Sequence, residues 1–140
     1  MIPDSSTPTT FDKYDAVLTA LAIWREARGE EATARRGVYW VIHNRTTDAK
    51  NRWPKKHVDV ILQPSQFSSF HSPDRNASLI PDTSNGAFME CCAIVDAPGA
   101  DPTWGANAYH SYPAGSQFIP TWAEASKLTV HIGAFSFYRL

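Results

Sequence analysis

Apolar residues recur at helical spacing near the start of the chain. The acids Asp12 and Asp15 precede this pattern, and acidic side chains favour the first turn of a helix. Gly29 follows it, and glycine commonly ends helices. We therefore predict a first helix whose apolar positions are Val17, Leu18, Leu21, Ala22 and Trp24.

Two more helices are predicted downstream. The second covers about residues 31–44. The third begins after Asn85, a favoured N-cap residue, and ends before Pro98. Residues 57–62 predict a short helix, and residues 72–85 predict a surface loop because they are rich in Ser, Pro, Asp and Asn.

The pattern changes period at the end of the chain. Leu128, Val130 and Ile132 alternate with polar residues, and residues 134–138 continue as an apolar and aromatic run past Gly133. Alternation of this kind predicts a strand pair or a bent strand. The expected fold class is mainly α with a small β element, that is, α+β.

Composition narrows the class of protein. The chain has 140 residues, which is the size of one domain. Its 13 Lys and Arg against 14 Asp and Glu give a net charge of -1, so it lacks the basic footprint of a nucleic-acid binder. No apolar run approaches the roughly 18 residues of a membrane span. We expect one domain over residues 13–140, a flexible tail over residues 1–12, and a monomer that does not insert into membranes.

The cysteines and histidines do not predict a metal site. Cys91 and Cys92 are neighbours without a metal-ligand spacing around them, which favours two small apolar side chains on the third helix. The five histidines are scattered along the chain without a paired spacing. We therefore expect neither a metal nor another cofactor.

The most informative stretch is W-R-E-A-R-G-E at residues 24–30. Glu26 stands at the end of an apolar helix, where desolvation raises the pKa of a carboxyl group. A Glu that keeps its proton near neutral pH can protonate a leaving oxygen in glycosidic cleavage. Spacing alone leaves an alternative, since Glu26 and Glu30 beside Arg25 and Arg28 can also form a surface ion-pair cluster.

Several segments in order resemble the SleB-type cell wall hydrolases, a family of spore cortex-lytic enzymes and phage endolysins. Together they extend over nearly everything from Leu18 to Tyr138. They are L-A-I-W-R-E-A-R-G-E (21–30), V-Y-W-V-I-H-N-R (38–45), Pro54 with V-D-V-I-L-Q-P-S-Q-F-S (58–68), D-P-T-W-G-A (101–106), Tyr109 with His110, and I-G (132–133) with F-Y (137–138).

The resemblance implies a lysozyme-like fold and cleavage of the β-1,4 bond between N-acetylmuramic acid and N-acetylglucosamine in peptidoglycan. It implies a lytic transglycosylase, which forms a 1,6-anhydro ring on the muramic acid. The catalytic Glu of the family corresponds to Glu26. One carboxyl group suffices if it donates a proton and then accepts one from the 6-hydroxyl of the sugar, unlike in retaining hydrolysis.

The resemblance also indicates supporting residues. Gln66, Phe67 and Ser68 are expected to line the cleft and contact the sugar, with an ordinary turn as the alternative. Tyr109 is expected to hold an N-acetyl group or steady Glu26, or else to be a core aromatic residue. Glu30 is expected to pair with a cation or to tune Glu26.

Two residues at the end of the second helix are expected to be structural. Asn44 is expected to cap that helix, and Arg45 to pair with an acid such as Glu30.

The sequence departs from the family in two places. Phe135 occupies a position where members often have His. The segment from Phe70 to Asn85 is also longer and more polar than expected, so one rim of the cleft is expected to differ.

The sequence is compatible with three functions. The first is a phage endolysin, made in the host cytoplasm without a signal peptide and acting on the wall in the periplasm or cell envelope, because residues 1–10 lack a secretory signal. The second is a muramidase that uses water, with Glu30 or Asp101 as its second carboxylate. The third is a non-catalytic glycan-binding or virion protein that stacks sugars on aromatic residues such as Trp104, Tyr112 and Trp122.

Overall fold

The computed structural model describes residues 10–64, 66–71 and 75–140. Four helices are present in these residues: α1 (Thr10–Ala27), α2 (Ala32–Thr46), α3 (His57–Ile61) and α4 (Gly86–Asp96). A small sheet contains β1 (Ala108–His110), β2 (Leu128–Ile132) and β3 (Phe135–Tyr138). Three short 3-10 helices cover Ser68–Phe70, Arg75–Ser78 and Ala125–Lys127. The predicted class, mainly α with a small β element, is confirmed.

The predicted elements are found with small shifts at their ends. Helix α1 begins at Thr10, inside the predicted tail, while residues 1–9 lie outside the described part of the chain. Asn85 caps α4 as predicted, since its side-chain oxygen accepts a 3.0 Å hydrogen bond from the backbone N–H of Phe88. The loop predicted over residues 72–85 contains the 3-10 helix Arg75–Ser78.

Helix α1 is central to the fold because it contacts α2, α3 and α4. Its buried apolar positions therefore lie on more than one face, and they include Ala20, Ala22, Ile23, Trp24 and Ala27. Although α1 has 18 residues, neither it nor any other helix in the described residues is both long and apolar enough to cross a membrane.

The sheet is antiparallel with the order β1-β3-β2. Phe137 on the middle strand pairs with Tyr109 on β1 and with Val130 on β2. Phe137 also packs against α2, because a Cβ added at Gly37 would lie 2.6 Å from the Cζ atom of its ring. The fully buried Phe137 ring thus joins the sheet to the helices and fixes the position of β1 relative to α2.

Candidate active site

A cleft of about 660 Å³ is formed by the end of α1, the end of α2, the loop before the first 3-10 helix, and the sheet with the loop after β1. This volume lies in the range of about 300–1,000 Å³ that is usual for ligand sites. The residues that line it are Glu26, Arg45, Trp53, Gln66, Phe67, Ala108, Tyr109, His110, Ser111, Tyr112, Pro120, Trp122, Phe135 and Leu140.

Glu26 lies in the last turn of α1, half-buried at the wall of the cleft. That turn is held by Arg35 of α2. Nε of Arg35 donates to the carbonyl of Ala27 at 3.2 Å, and its Nη2 donates to the carbonyl of Arg28 at 2.6 Å. The remaining Nη1 contacts the carboxylate of Glu90 on α4. A buried cation thereby binds two carbonyl groups at the end of α1, where helix carbonyls favour positive charge, and it fixes the position of Glu26.

The arginines on either side of Glu26 hold the neighbouring loop. Arg25 is buried, and its guanidinium donates to the backbone carbonyls of Ser69 and Leu79 at 2.9–3.1 Å. Arg28 donates to Oδ1 of Asn76 at 3.0 Å. These bonds fasten the segment after the first 3-10 helix to α1. The two arginines therefore have a structural role beyond the surface ion pairing that the sequence left open.

Tyr109 occupies the middle of β1 and lines the cleft. Its ring packs against Phe135 at 5.2 Å and Phe137 at 5.9 Å between centroids. Burial raises the pKa of the Tyr109 phenol well above its usual range; the negative charge of Glu26 adds to this and the positive charge of Arg45 opposes it. Tyr109 therefore keeps its proton at neutral pH and offers a hydrogen-bond donor beside Glu26.

Arg45 lies buried under the cleft and links its two sides. Its Nε donates to the carbonyl of Asn107 at 2.7 Å, and its Nη1 donates to Oε1 of Gln66 at 3.2 Å. The guanidinium lies over the rings of Trp53 and Phe67, 5.3 Å and 5.6 Å from their centroids. Burial lowers the pKa of Arg45 to about 10, although Tyr109 raises it, so the side chain stays positive at neutral pH.

The expected pair between Arg45 and Glu30 is wrong. Arg45 is occupied by the backbone before β1 and by Gln66, whereas Glu30 lies against the turn between β2 and β3. A Cβ added at Gly133 in that turn would lie 2.6 Å from Oε2 of Glu30. Glu30 is not among the residues that line the cleft.

The expected cap by Asn44 is also wrong. Helix α2 continues to Thr46, and Nδ2 of Asn44 donates to Oδ2 of Asp101 at 3.0 Å and to the carbonyl of Ala106 at 2.8 Å. Asn44 therefore ties α2 to the loop that leads into β1. Its position near the helix end resembles a cap in sequence, but its hydrogen bonds are long-range.

Asp101 organises that loop. Its Oδ1 accepts from the backbone N–H and hydroxyl of Thr103 at 2.7 Å and 2.6 Å, and its Oδ2 accepts from the N–H of Gly105 at 3.1 Å. Burial acts to raise the pKa of Asp101, but the hydrogen bonds from Thr103, Asn44 and Gly105 outweigh it and lower the pKa. Asp101 is thus an ionised brace for the loop before β1.

This leaves Glu26 as the one Asp or Glu among the described residues that line the cleft. Glu30 and Asp101, the two candidates for a second carboxylate, both have positions elsewhere. Asp74 falls outside the described residues.

The predicted Q-F-S segment is partly placed in the cleft. Gln66 is exposed and Phe67 is buried, and both line the cleft. Ser68 begins the first 3-10 helix, but its side chain lies outside the described part of the structure. Gln66 and Phe67 both contact Arg45, and these contacts hold the two residues at the same side of the cleft.

An aromatic wall completes the cleft, and sequence reasoning identified only part of it. Tyr112 and Trp122 line the cleft as sugar stacking would require, whereas Trp104 is exposed outside it. Trp53 and Phe135 also line the cleft. Phe135 therefore introduces an apolar ring at the position where the family often has His.

His110 supports this wall from β1. Its Nδ1 accepts a hydrogen bond from the backbone N–H of Tyr112 at 3.1 Å, so in the neutral ring Nε2 carries the proton and donates to Oη of Tyr138 at 3.1 Å. Burial, and then the charge of His131, lower the pKa of His110. In the sequence, the only sign of a role for His110 is that Tyr109 and His110 together resemble a segment of the family.

Within the described residues, no group of three or more His, Cys, Asp and Glu side chains is arranged to hold a metal ion. The two cysteines lie on α4, where Cys91 is buried and Cys92 is half-buried.

Comparison with known proteins defines the class. The family described as Cell Wall Hydrolase matches residues 29–138, so the chain belongs to this family and is a cell-wall-degrading enzyme. The match begins three residues after Glu26.

Two solved structures extend the similarity over α1. One is the catalytic domain of the germination-specific lytic transglycosylase SleB from Bacillus anthracis, at 26% identity and a TM-score of 0.71, covering 95% of this chain and 100% of that chain. The other is the catalytic domain of the Bacillus cereus SleB protein, at 28% identity and a TM-score of 0.66, covering 98% of each chain. The comparison with curated proteins gave no match.

Proposed function

We propose that this enzyme cleaves the β-1,4 bond between N-acetylmuramic acid and N-acetylglucosamine in peptidoglycan as a lytic transglycosylase. The observation that carries the proposal is the single carboxylate, Glu26, among the described residues of the cleft, next to the protonated phenol of Tyr109. The similarity to a lytic transglycosylase over 95% of the chain supports it.

In the first step, Glu26 donates its proton to the glycosidic oxygen. The bond from this oxygen to C1 of the muramic acid breaks, and positive charge develops at C1 and the ring oxygen. The carboxylate left on Glu26 interacts with the donor Tyr109, which in turn interacts with the cationic Arg45, and this arrangement favours negative charge at this point.

In the second step, the same carboxylate removes the proton from the 6-hydroxyl of the muramic acid. The 6-oxygen then attacks C1 and closes the 1,6-anhydro ring, which returns the proton to Glu26 without consuming water. A second carboxylate is not required, in contrast to a retaining hydrolase with two carboxyl groups about 5–5.5 Å apart.

The other lining residues suit a polysaccharide. The rings of Tyr112 and Trp122 line the cleft, and aromatic rings pack against the apolar faces of sugars. Gln66 and Tyr109 offer polar groups that can bind N-acetyl or hydroxyl groups.

The test is mass spectrometry of the products released from purified peptidoglycan by the wild type and by Glu26→Gln. We expect anhydromuramyl products, lighter by one water than hydrolytic ones, and their loss in Glu26→Gln. Glu31→Gln is the matched control, because Glu31 is exposed at the start of α2 and makes no side-chain cap. Reducing-end products would instead establish a muramidase, and full activity of Glu26→Gln would remove Glu26 from the mechanism.

We further propose that this cell wall hydrolase acts as a phage endolysin. Expression in a bacterium with and without a membrane-permeabilising holin tests this role. We expect lysis only with the holin and none with Glu26→Gln. Lysis of cells whose inner membrane stays closed would contradict the endolysin role.

A further inference from the structure

A second cavity of about 410 Å³ adjoins the cleft. Leu140 lines both cavities, and Asn107 of the second cavity is followed directly by Ala108 of the cleft. A third connection is Arg52, which lines the second cavity and lies 4.7 Å from the ring centroid of the cleft residue Trp53. The two cavities therefore share a wall.

The second cavity is rich in positive charge. Its charged lining residues are Lys50, Arg52 and Arg139 against Asp48, in a chain whose net charge is -1. Arg52 neutralises Asp48 through a bidentate ion pair, in which Nε donates to Oδ2 at 3.0 Å and Nη2 donates to Oδ1 at 3.0 Å. Among the side chains, two positive charges, on Lys50 and Arg139, remain after this pairing. We call this space the basic cavity.

Lys50 and Arg139 are available to a ligand. Both are exposed, and within the described residues neither side chain has a hydrogen-bond acceptor or an acidic partner. The guanidinium of Arg139 extends across Gly105, since a Cβ added there would lie 3.7 Å from its Nη1. Gly105 has no side chain, so this wall of the basic cavity is bare backbone. Its φ of +82° lies in the region that favours glycine.

We propose that the basic cavity binds a carboxylate of the peptide stem that is attached to the muramic acid beside the cleaved bond. This inference rests on the proposed function. The stem leaves the sugar through its lactyl group and carries free carboxylates, while the sugar rings are uncharged. A stem of three extended residues reaches about 10 Å, and Leu140, which lines both cavities, marks the path from the cleft to the basic cavity. Arginine is suited to such a partner because the N–H groups of its planar guanidinium match the two oxygens of a carboxylate.

The test compares whole peptidoglycan with glycan strands from which an amidase has removed the peptides. The variant is Lys50→Gln with Arg139→Gln, and the matched control is Lys13→Gln with Lys56→Gln, two exposed lysines outside both cavities. We expect the variant to raise KM on whole peptidoglycan roughly three- to tenfold, the size of two exposed ion pairs, with kcat nearly unchanged. On stripped strands we expect wild-type KM. Arg139→Lys should restore part of the loss.

Two results would overturn the proposal: an equal loss on both substrates, or no loss on either. Thermal melts of each variant separate binding from folding. If the wild type cleaves neither substrate, the proposed function fails, whereas cleavage of both with identical KM in the variant means that only the stem site fails. Anhydromuramyl products from stripped strands confirm that the catalytic step does not depend on the basic cavity.

Discussion

Nε of Arg45 donates a 2.7 Å hydrogen bond to the carbonyl oxygen of Asn107. This bond joins the end of α2 to the residue before β1, two positions ahead of Tyr109. Because Arg45 also reaches Gln66 and lies over Trp53, one buried cation holds both sides of the cleft around Glu26.

Arg45→Lys should destabilise the protein by about 1–3 kcal/mol, because a lysine cannot serve both Asn107 and Gln66 and leaves a buried oxygen without its donor. Urea unfolding measures the change. Arg36→Lys on the same helix is the control, since Arg36 makes a single side-chain bond of 3.4 Å to Thr33. Unfolding of Arg45→Lys at the wild-type midpoint would show that these contacts contribute nothing.

Tyr109→Phe should lower the rate of peptidoglycan cleavage roughly tenfold to a hundredfold, the value of one hydrogen bond to a charged group. The phenol is the donor next to Glu26, while the ring keeps its packing against Phe135 and Phe137 in the variant. Turnover assays and a thermal melt check the two parts. Tyr14→Phe is the control, because Tyr14 is exposed on α1. A wild-type rate would make Tyr109 a packing residue only.

Sequence reasoning predicted the helices and the β2–β3 pair because each carries a clear period. It missed β1, which has only three residues and therefore too few positions to show alternation. Strand β1 exists because β3 offers it a partner, with Tyr109 opposite Phe137. Such long-range pairing is not encoded in the local pattern.

The candidate site was predictable where local sequence carries the chemistry, as at Glu26. Arg45 and Asn44 were misassigned because their partners, Asn107 and Asp101, are more than fifty residues away. Backbone carbonyls are common partners of buried polar side chains, and sequence does not mark them.

The pH dependence of stability should reflect His57, which connects three helices. Its Nε2 lies 3.1 Å from Nδ1 of His43, and its Nδ1 lies 3.5 Å from Oδ2 of Asp15. Burial lowers the pKa of His57; Asp15 opposes this and His43 adds to it. The unfolded chain, with a pKa of about 6.5 at this residue, then binds more protons than the folded chain in slightly acidic solution. The free energy of unfolding should therefore fall as the pH drops below about 6.5, until folded His57 is protonated too.

His57→Gln should flatten this dependence in urea unfolding between about pH 7 and about pH 5. Part of the slope should persist, because His110 also has a lowered pKa. The control is His71→Gln, at a histidine whose Nε2 lies 3.2 Å from the carbonyl oxygen of Gln63, away from His57. A His57→Gln profile parallel to the wild type would assign the acid sensitivity to other groups.

Gly37→Ala should destabilise the fold although alanine favours helices. An added methyl group at this position of α2 would lie 2.6 Å from Cζ of Phe137, and the Phe137 ring is fully buried between α2 and the sheet. Overpacking of this kind costs about 1–3 kcal/mol, against about 1 kcal/mol gained in helix propensity. Gly86→Ala, at the start of α4 with open space around the added carbon, should be neutral or stabilising. A shift of the Phe137 ring would also move Tyr109, because the two residues pair across β3 and β1. The Gly37→Ala variant should therefore lose more cleavage activity than its lower stability explains. Activity equal to the wild type at a temperature where both are folded would show that β1 is positioned independently of this contact.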